Sequence, residues 1–339
     1  MNMKHTSARQ VSRKSMQKGF TLVQLLVVLG IIAVLSAILI GFMGSGRAAA
    51  RRVQCDTNLK GIAMALDTFR QENGRLPKSL AELRDKYVPT ASLRCASDPD
   101  LKTKSADAAY ASYEDFYIIR EPRDSGELPV VVCPFHEGEG QHGAQAYKGR
   151  YTAQFSTQPA TLLQAGANTT VTRPGKDPIA AYAGMPLRGG DRIKAGGETQ
   201  IKFADGSVTT LSANSDIKVL QSYIEGQSSG PLYTLVRQFA GTAKYNVVTG
   251  NRFDVATPTA TAGALGTEFT VVVDGTSSTA PTKLTVTESA VALTTTTETV
   301  EVITGDPTIE VDQTGKVQTP PGQTKKERKP RNRGKKSKD

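Results

Sequence analysis

A long, uncharged and mostly apolar run lies near the N-terminus of the chain. Residues 20–43 carry no charged side chain. At ~1.5 Å per residue these 24 residues reach about 36 Å, enough to cross the ~30 Å core of a bilayer. An ordinary signal peptide has a shorter apolar region of ~7–15 residues. The pattern therefore predicts a retained transmembrane helix over residues 20–43. The cations before it place the N-terminus in the cytoplasm and the following residues outside it.

Beyond this run, apolar residues recur every three or four positions, as in an amphipathic helix. This stripe consists of Cys55, Leu59, Ile62, Leu66 and Phe69. An Asn-Gly pair at 73–74 is a helix stop signal. We expect one helix from Phe20 to Gln71, with Cys55 as a buried, unreactive thiol on its apolar face. A short helix should follow, with Ser79 as N-cap and Glu82 completing a capping box.

Later segments favour strands. The runs at 108–120 and 128–136 are strand-like, and from Ala167 onward short alternating runs are separated by Gly and Asp-Gly pairs. Asp205-Gly206 is expected to form a hairpin turn. Residues 222–241 interrupt the pattern and are a candidate for a short helix. The fold predicted is α+β, with a long N-terminal helix, a small subdomain, a mostly-β domain and a disordered basic tail.

The net charge of +10 is concentrated at the two ends. Residues 1–19 contribute +5 and residues 323–339 contribute +7, which leaves −2 for the chain between them. A nucleic-acid-binding surface on a folded domain is therefore not indicated. Residues 324–339 have no apolar side chain to bury, which predicts disorder. They form either a solvated tail or an electrostatic attachment to an anionic polymer through Lys325–Lys338.

Candidate catalytic chemistry is sparse. The chain has three histidines and neither a Walker A nor an HExxH motif, so we expect no enzyme activity and no cofactor. Residues 133–142 contain five side chains that could bind a metal, but the two histidines do not share a helix face, so we expect a solvated loop. The five are Cys133, His136, Glu137, Glu139 and His142. We expect no metal.

Three cysteines allow three disulfide pairings. Cys55 belongs to the helix stripe, so the pairing favoured is Cys95 with Cys133. In the exported part of a chain, a disulfide can form and persist. This one is expected to stabilise the small subdomain by ~3–4 kcal/mol through the loop it closes.

The segment KGFTLVQLL at 18–26 resembles the N-terminus of type IV pilins and type II secretion pseudopilins. The resemblance implies that a prepilin peptidase cleaves between Gly19 and Phe20, removing the leader at 1–19, and that Phe20 is then methylated. It also implies assembly with other pilin-like subunits of a type II secretion or type IV pilus-like system at the inner membrane. The long helix, Gly-Pro turn and SLAEL segment extend a resemblance to G-type pseudopilins over residues 44–150.

Gln24 departs from that pattern, because such proteins usually carry Glu at this position, where it is thought to meet the terminal amine of a neighbouring subunit. Gln accepts a hydrogen bond but neutralises no charge. Two interpretations stay open: a subunit that sits at a filament tip, assembles weakly or does not polymerise, or a tolerated polar residue without an assembly role.

Residues 167–323 resemble the FecR domain. The matching segments are GDRI at 190–193, FADGS at 203–207, VATP at 255–258, ALGTEFTV at 264–271 and LTVTE at 284–288. The resemblance implies a β-rich binding or scaffold module on the exported side. The anti-sigma role of such regulators is not carried over, because their cytoplasmic segment has no counterpart in the nineteen residues before the apolar run. The rival hypothesis is a membrane-anchored FecR-domain sensor or ligand-binding protein that does not polymerise.

Overall fold

The computed structural model has the predicted α+β architecture. It describes residues 21–104, 106–120, 129–136, 142–144, 151–152, 156–157, 160–224 and 232–318. The chain divides into two compact units, residues 1–50 and 51–339. Within the second unit we call residues 51–152 the first lobe and residues 156–318 the β lobe. The predicted tail at 324–339 lies outside the described residues.

The helices come early and the strands dominate the rest. The α-helices are α1 (Leu22–Asn73) and α2 (Leu101–Lys104), and the 3₁₀ turns are Leu80–Leu83, Thr90–Leu93 and Glu114–Phe116. The first-lobe strands are β1 (Val131–Cys133), β2 (His142–Ala144) and β3 (Tyr151–Thr152), which form one antiparallel sheet.

The β lobe contains the remaining strands of the described residues. They are β4 (Ser156–Thr157), β5 (Ala160–Gln164), β6 (Thr170–Thr172), β7 (Ile179–Ala180), β8 (Pro186–Leu187), β9 (Arg192–Lys194), β10 (Thr199–Lys202), β11 (Val208–Leu211), β12 (Asp216–Ile224), β13 (Leu232–Asn246), β14 (Arg252–Ala256), β15 (Thr261–Leu265), β16 (Glu268–Val273), β17 (Thr282–Glu288), β18 (Ala290–Thr294), β19 (Thr299–Ile303), β20 (Ile309–Val311) and β21 (Val317–Gln318).

Helix α1 follows its sequence pattern closely. It extends two residues past the predicted end at Gln71 and stops at Asn73, before Gly74 in the left-handed conformation at φ +67°. All five residues of the predicted stripe are buried. Within the described ranges, no helix is both long and apolar enough to cross a membrane.

The first lobe corrects two sequence predictions. Residues 79–83 form a 3₁₀ turn in which Ser79 makes no side-chain cap hydrogen bond, so the expected capping box is wrong. Glu82 instead accepts hydrogen bonds from the Lys78 backbone N–H and the Arg75 guanidinium, each at 2.6 Å. Those donors lie outside the turn and occupy the carboxylate that a capping box would need.

The run at 108–120 was predicted as a strand, and this was wrong. It contains the 3₁₀ turn Glu114–Phe116 and pairs with β1 only through an isolated bridge at Tyr117. Its large apolar side chains pack into two different hydrophobic cores and do not line one face of a sheet. Tyr117 and Ile119 pack in the core of the first lobe, whereas Phe116 and Ile118 pack against residues of the β lobe.

The long strand β13 organises the β lobe. Its first part pairs antiparallel with β12 and parallel with β14. Its second part pairs antiparallel with β11 and β16, so β13 joins two groups of strands. The rings of Phe203, Phe253, Tyr245 and Phe269 pack between them, with centroid separations of 5.1 to 5.6 Å.

Of two further local predictions, a hairpin and a short helix, the first is confirmed and the second is wrong. Lys202 pairs with Val208 across the turn that contains Asp205-Gly206, which confirms a hairpin there. Gly206 adopts φ +85°, which only glycine accommodates without strain. The short helix considered for residues 222–241 is wrong, because the described part of this segment belongs to β12 and β13, with Ile224 paired to Leu232.

The two lobes share a core. Phe116, Ile118 and Val132 of the first lobe pack with Leu220, Tyr233 and Leu235 of the β lobe. The described part of residues 51–318 is therefore a single packed body. The predicted division at 44–150 and 167–323 stays a prediction from sequence.

Candidate functional site

The predicted processing site, Gly19-Phe20, lies outside the described residues. The helix that follows it has an unexpected N-terminus. The Thr21 N–H donates to the Gln24 side-chain oxygen at 3.1 Å, and the Gln24 N–H donates to the Thr21 hydroxyl at 3.3 Å. These reciprocal bonds are a capping box, in which Gln serves as well as Glu. Gln24 thus has a local structural role that the sequence reasoning did not include.

The first turns of α1 present a continuous apolar surface. Their large side chains are 44% to 75% exposed. They are Leu22, Val23, Leu25, Leu26, Val27, Val28, Leu29, Ile31, Ile32, Val34 and Leu35. Exposed apolar surface on this scale marks a site of contact with lipid or protein.

A cluster of three thiols and one imidazole lies in the first lobe. We call Cys55, Cys95, Cys133 and His136 the thiol–imidazole cluster. Their four ligand atoms all lie within 4.8 Å of one another. Helix α1 supplies Cys55, the loop after Thr90–Leu93 supplies Cys95, and β1 and the turn after it supply the other two. All four residues are buried, His136 being the most exposed at 4%.

The sulfurs are close together but not bonded. The Sγ atoms of Cys95 and Cys133 are 3.7 Å apart, and all three cysteines are free thiols. A disulfide would hold the sulfurs about 2.0 Å apart, so the predicted Cys95–Cys133 bond is not formed in this structure and remains a prediction. The Cys95 sulfur also lies 3.4 Å from Nε2 of His136.

Neighbouring polar groups hold the cluster in place. The Tyr113 hydroxyl, fully buried, makes a 3.1 Å hydrogen bond with the Cys55 sulfur. One turn along α1 from Cys55, Asn58 donates to the carbonyl of Arg94 at 3.0 Å and so ties the loop of Cys95 to the helix. Burial raises the pKa of the Asp56 carboxyl, and the nearby charges of Arg52 and His136 oppose that rise.

The thiols themselves are unequal. Hydrogen bonds from Cys133 and then Cys55 lower the pKa of the Cys95 thiol, because they stabilise its thiolate. Burial raises the pKa of the Cys133 thiol, which has no water to solvate its charged form. The Cys95 and Cys133 thiols therefore differ in the direction of their pKa shifts.

A second buried polar cluster lies where the lobes meet. We call Arg120, Tyr233 and Asp254 the arginine–carboxylate cluster. The Arg120 guanidinium donates to the Asp254 carboxylate and to the Tyr233 hydroxyl, which itself donates to Asp254. Both charged side chains are buried, at 4% and 0% exposure. Arg252 adds a 3.3 Å ion pair to the same carboxylate.

The electrostatics of Asp254 follow from these partners. Burial alone would raise the pKa of its carboxyl, but the charges of Arg120 and Arg252 and the Tyr233 hydrogen bond together lower that pKa below its usual value. A second set of contacts crosses the same junction. Lys218 pairs with Asp115 at 2.5 Å, and Arg237 donates to the carbonyl of Tyr117.

The residues of the FecR-like segments have structural roles. Asp205 accepts from the Ser207 N–H and hydroxyl at 2.9 and 2.7 Å, which closes its turn. Arg192 makes a two-pronged ion pair with Asp216 at 2.7 and 2.8 Å. Thr267, buried beside Gly266, donates to the carbonyl of Glu288. These contacts shape the β lobe.

Two family models match this chain. Residues 14–40 match the prokaryotic N-terminal methylation motif. Residues 191–292 match the FecR protein family. The sequence predictions of a prepilin-type N-terminus fused to a FecR-like domain are therefore confirmed. The matched FecR region covers β9 through most of β18 and is shorter than the β lobe.

Other comparisons add little. A search of curated proteins found no match. Two crystal structures of a "putative anti-sigma factor" from Parabacteroides distasonis ATCC 8503, at 1.65 and 2.50 Å resolution, are 23% and 22% identical to the aligned part of this chain. Each likeness has a TM-score of 0.30 and covers 40% of this chain and 57% of the other.

The sequence analysis grouped two members of the thiol–imidazole cluster, Cys133 and His136, as possible metal ligands, but it did not group Cys55 and Cys95 with them. Cys133 and His136 were considered together with Glu137, Glu139 and His142; the two glutamates lie outside the described residues, and the His142 side chain is not described. The partners that the structure supplies are Cys55 and Cys95. The spacing Cys133-x-x-His136 was the available local signal, whereas the other two ligands come from distant segments.

Proposed function

We propose that this protein is a pilin-like subunit, anchored in the inner membrane by residues 20–43, that displays its FecR-like β lobe on the exported side as a binding or scaffold module. The observation that carries the proposal is the prepilin-type motif at 14–40 joined to an apolar helix with exposed Leu, Ile and Val side chains. An apolar surface of that kind is at its lowest free energy in lipid or against like helices.

Processing by a prepilin peptidase belongs to the same proposal. Cleavage after Gly19 would remove the five cations of the leader and start the mature chain at Phe20, one residue before the capping box at Thr21 and Gln24. The partners would be the peptidase and other pilin or pseudopilin subunits of a type II secretion or type IV pilus-like system. Because Gln24 supplies no negative charge, we infer weak self-assembly and a minor-subunit role.

The proposed role is not catalytic. Gly226–Gly230 has the GxSxG spacing of a nucleophile elbow, and Gly138–Gly143 has GxGxxG spacing. Both motifs require a strand that leads into a helix. Here the first lies between the antiparallel strands β12 and β13, and the second ends within β2, which pairs antiparallel with β1. A binding or scaffold function agrees better with this topology.

The first prediction concerns processing. Intact-mass measurement of the membrane-extracted protein, coexpressed with a prepilin peptidase, should give a chain of residues 20–339 with one methyl group on Phe20. A Gly19→Asp variant should keep Met1 and its leader. Gly30→Ala is the matched control, since a Cβ at Gly30 meets nothing within 4 Å, and it should be processed normally.

The rival function makes a different prediction for the same measurement. A membrane-anchored FecR-domain sensor that does not polymerise would keep residues 1–19 when the peptidase is present. A freely soluble product beginning well downstream, near Ala50, would contradict both functions. Recovery from the membrane fraction of a chain that begins at methylated Phe20 would support the pilin-like subunit.

A further inference from the structure

We propose that Cys55, Cys95, Cys133 and His136 bind one zinc ion in a closed tetrahedral Cys₃His site that staples the first lobe. Nothing in the resemblance to pilins or to FecR requires this site. The inference is independent of the proposed function and replaces our expectation, from sequence, that the chain binds no metal.

The spacing of the ligand atoms fits a single tetrahedral ion. With Zn–S bonds of ~2.3 Å and a Zn–N bond of ~2.0 Å, tetrahedral geometry places two sulfurs about 3.8 Å apart and a sulfur and nitrogen about 3.5 Å apart. The observed separations are 3.7 Å between the Cys95 and Cys133 sulfurs and 3.4 Å between the Cys95 sulfur and Nε2 of His136. All four atoms lie within 4.8 Å of one another.

The donor set selects the metal. Soft thiolates with one imidazole favour zinc over the hard cations, which prefer oxygen. Ligand atoms held within 4.8 Å leave room for one ion and not for several irons with bridging sulfides. Four protein ligands complete the coordination of zinc and leave no open position, as in structural sites and unlike catalytic ones. The burial of all four residues agrees with a closed site.

The surroundings complete the site. Three thiols release three protons when they bind Zn²⁺, and His136 binds through its neutral Nε2, so the complex has a net charge of −1. The Tyr113 hydroxyl can donate to the Cys55 thiolate across their 3.1 Å contact.

The rival chemistry is the Cys95–Cys133 disulfide. It would use two of the three thiols, leave Cys55 buried as an odd thiol, and give His136 no role. Zinc uses all four groups at the separations observed. The two outcomes differ in metal content, in the number of free thiols and in the importance of His136, so one set of measurements distinguishes them.

The test uses the full chain, extracted from membranes of cells grown with zinc and purified without chelator or reductant. Plasma mass spectrometry should find about one zinc per chain, and alkylation after denaturation with a chelator should label three thiols. Replacing zinc by Co²⁺ should produce the visible absorption of tetrahedral cobalt thiolate. Zinc absent from a chain with three thiols, two thiols lost to a disulfide, or copper or iron in place of zinc would each overturn the proposal.

A matched pair of variants separates ligation from packing. His136→Gln should lose the zinc, whereas His136→Cys should keep it as a Cys₄ site, because both ligand sets are stable for zinc. Should His136→Gln fail to fold, the cobalt spectrum and thiol count of the wild-type chain still decide the question. Full zinc retention by a folded His136→Gln chain would overturn the assignment.

Discussion

The two buried polar clusters of this protein balance their charges in opposite ways. The arginine–carboxylate cluster supplies its own countercharges, since the Asp254 carboxylate pairs with Arg120 and Arg252 and accepts a hydrogen bond from Tyr233. The thiol–imidazole cluster brings four electron-pair donors together, and its sulfurs lie in contact with one another, with the Tyr113 hydroxyl and with the His136 imidazole. Buried polar groups need partners. The first cluster therefore contains its own cations, whereas on our proposal the second binds a cation from solution.

The largest loss of stability is expected from a substitution in the arginine–carboxylate cluster. Asp254→Asn keeps the side-chain shape but removes the buried carboxylate charge with which the Arg120 guanidinium pairs. The free energy of unfolding should fall by about 3–5 kcal/mol. Urea unfolding followed by circular dichroism measures it, with Asp274→Asn as the control. Asp274 pairs with Lys283 at 2.5 Å on the surface, so that loss should stay below about 1 kcal/mol. Equal losses would contradict the comparison.

The pH dependence of stability sharpens the same point. The folded-state pKa of Asp254 is lower than its unfolded-state value, so its stabilising contribution is fully present above the unfolded pKa of about 3.9. As pH falls from there through the folded pKa, the unfolded state takes up its proton first and this contribution is lost. Asp254→Asn should therefore show a shallower decline in unfolding free energy below about pH 4. An unchanged decline would mean that other carboxylates account for it.

The smallest expected effect is a loss of zinc affinity on removal of the Tyr113 hydroxyl from the thiol–imidazole cluster. Tyr113→Phe removes the hydrogen bond to the Cys55 sulfur and should weaken zinc binding about tenfold, as loss of such a supporting group typically does. Competition with a chromophoric chelator measures the affinity. Tyr117→Phe is the matched control, because that buried hydroxyl donates to the Pro77 carbonyl at 2.8 Å. It should cost about 1 kcal/mol of stability and leave zinc affinity unchanged. Equal affinity losses would contradict the prediction.

Features set by local periodicity were the predictable ones. The apolar stripe from Cys55 to Phe69 identified the buried face of α1, and alternation around Asp205-Gly206 identified a hairpin. Capping was predicted less well. Thr21-x-x-Gln24 and Ser79-x-x-Glu82 both have a capping-box sequence, yet of these two segments only the first forms the capping box. In the second segment the Arg75 guanidinium and the Lys78 N–H donate to the Glu82 carboxylate in place of the Ser79 N–H. A four-residue pattern does not include these competing donors.

The buried clusters could not be predicted because their members are distant in sequence. Arg120 and Asp254 are 134 residues apart and have no local signature. Cys55 fits its helical stripe equally well as a core residue or as a ligand, since both require burial. Only the fold shows that the inward face of α1 at that turn meets Cys95, Cys133 and His136. Periodicity identifies the buried face of an element but not the residues it meets.

The strand pairings of the β lobe have a practical consequence for the design of protein fragments. The region that matches the FecR family ends at residue 292, but the ladder does not. β10 pairs with β5, β12 with β4, and β17 with β20. A fragment trimmed to 191–292 would expose those strand edges, and exposed edges promote aggregation. The shortest excision that preserves each of these pairings and the terminal β20–β21 hairpin runs from Ser156 to Gln318.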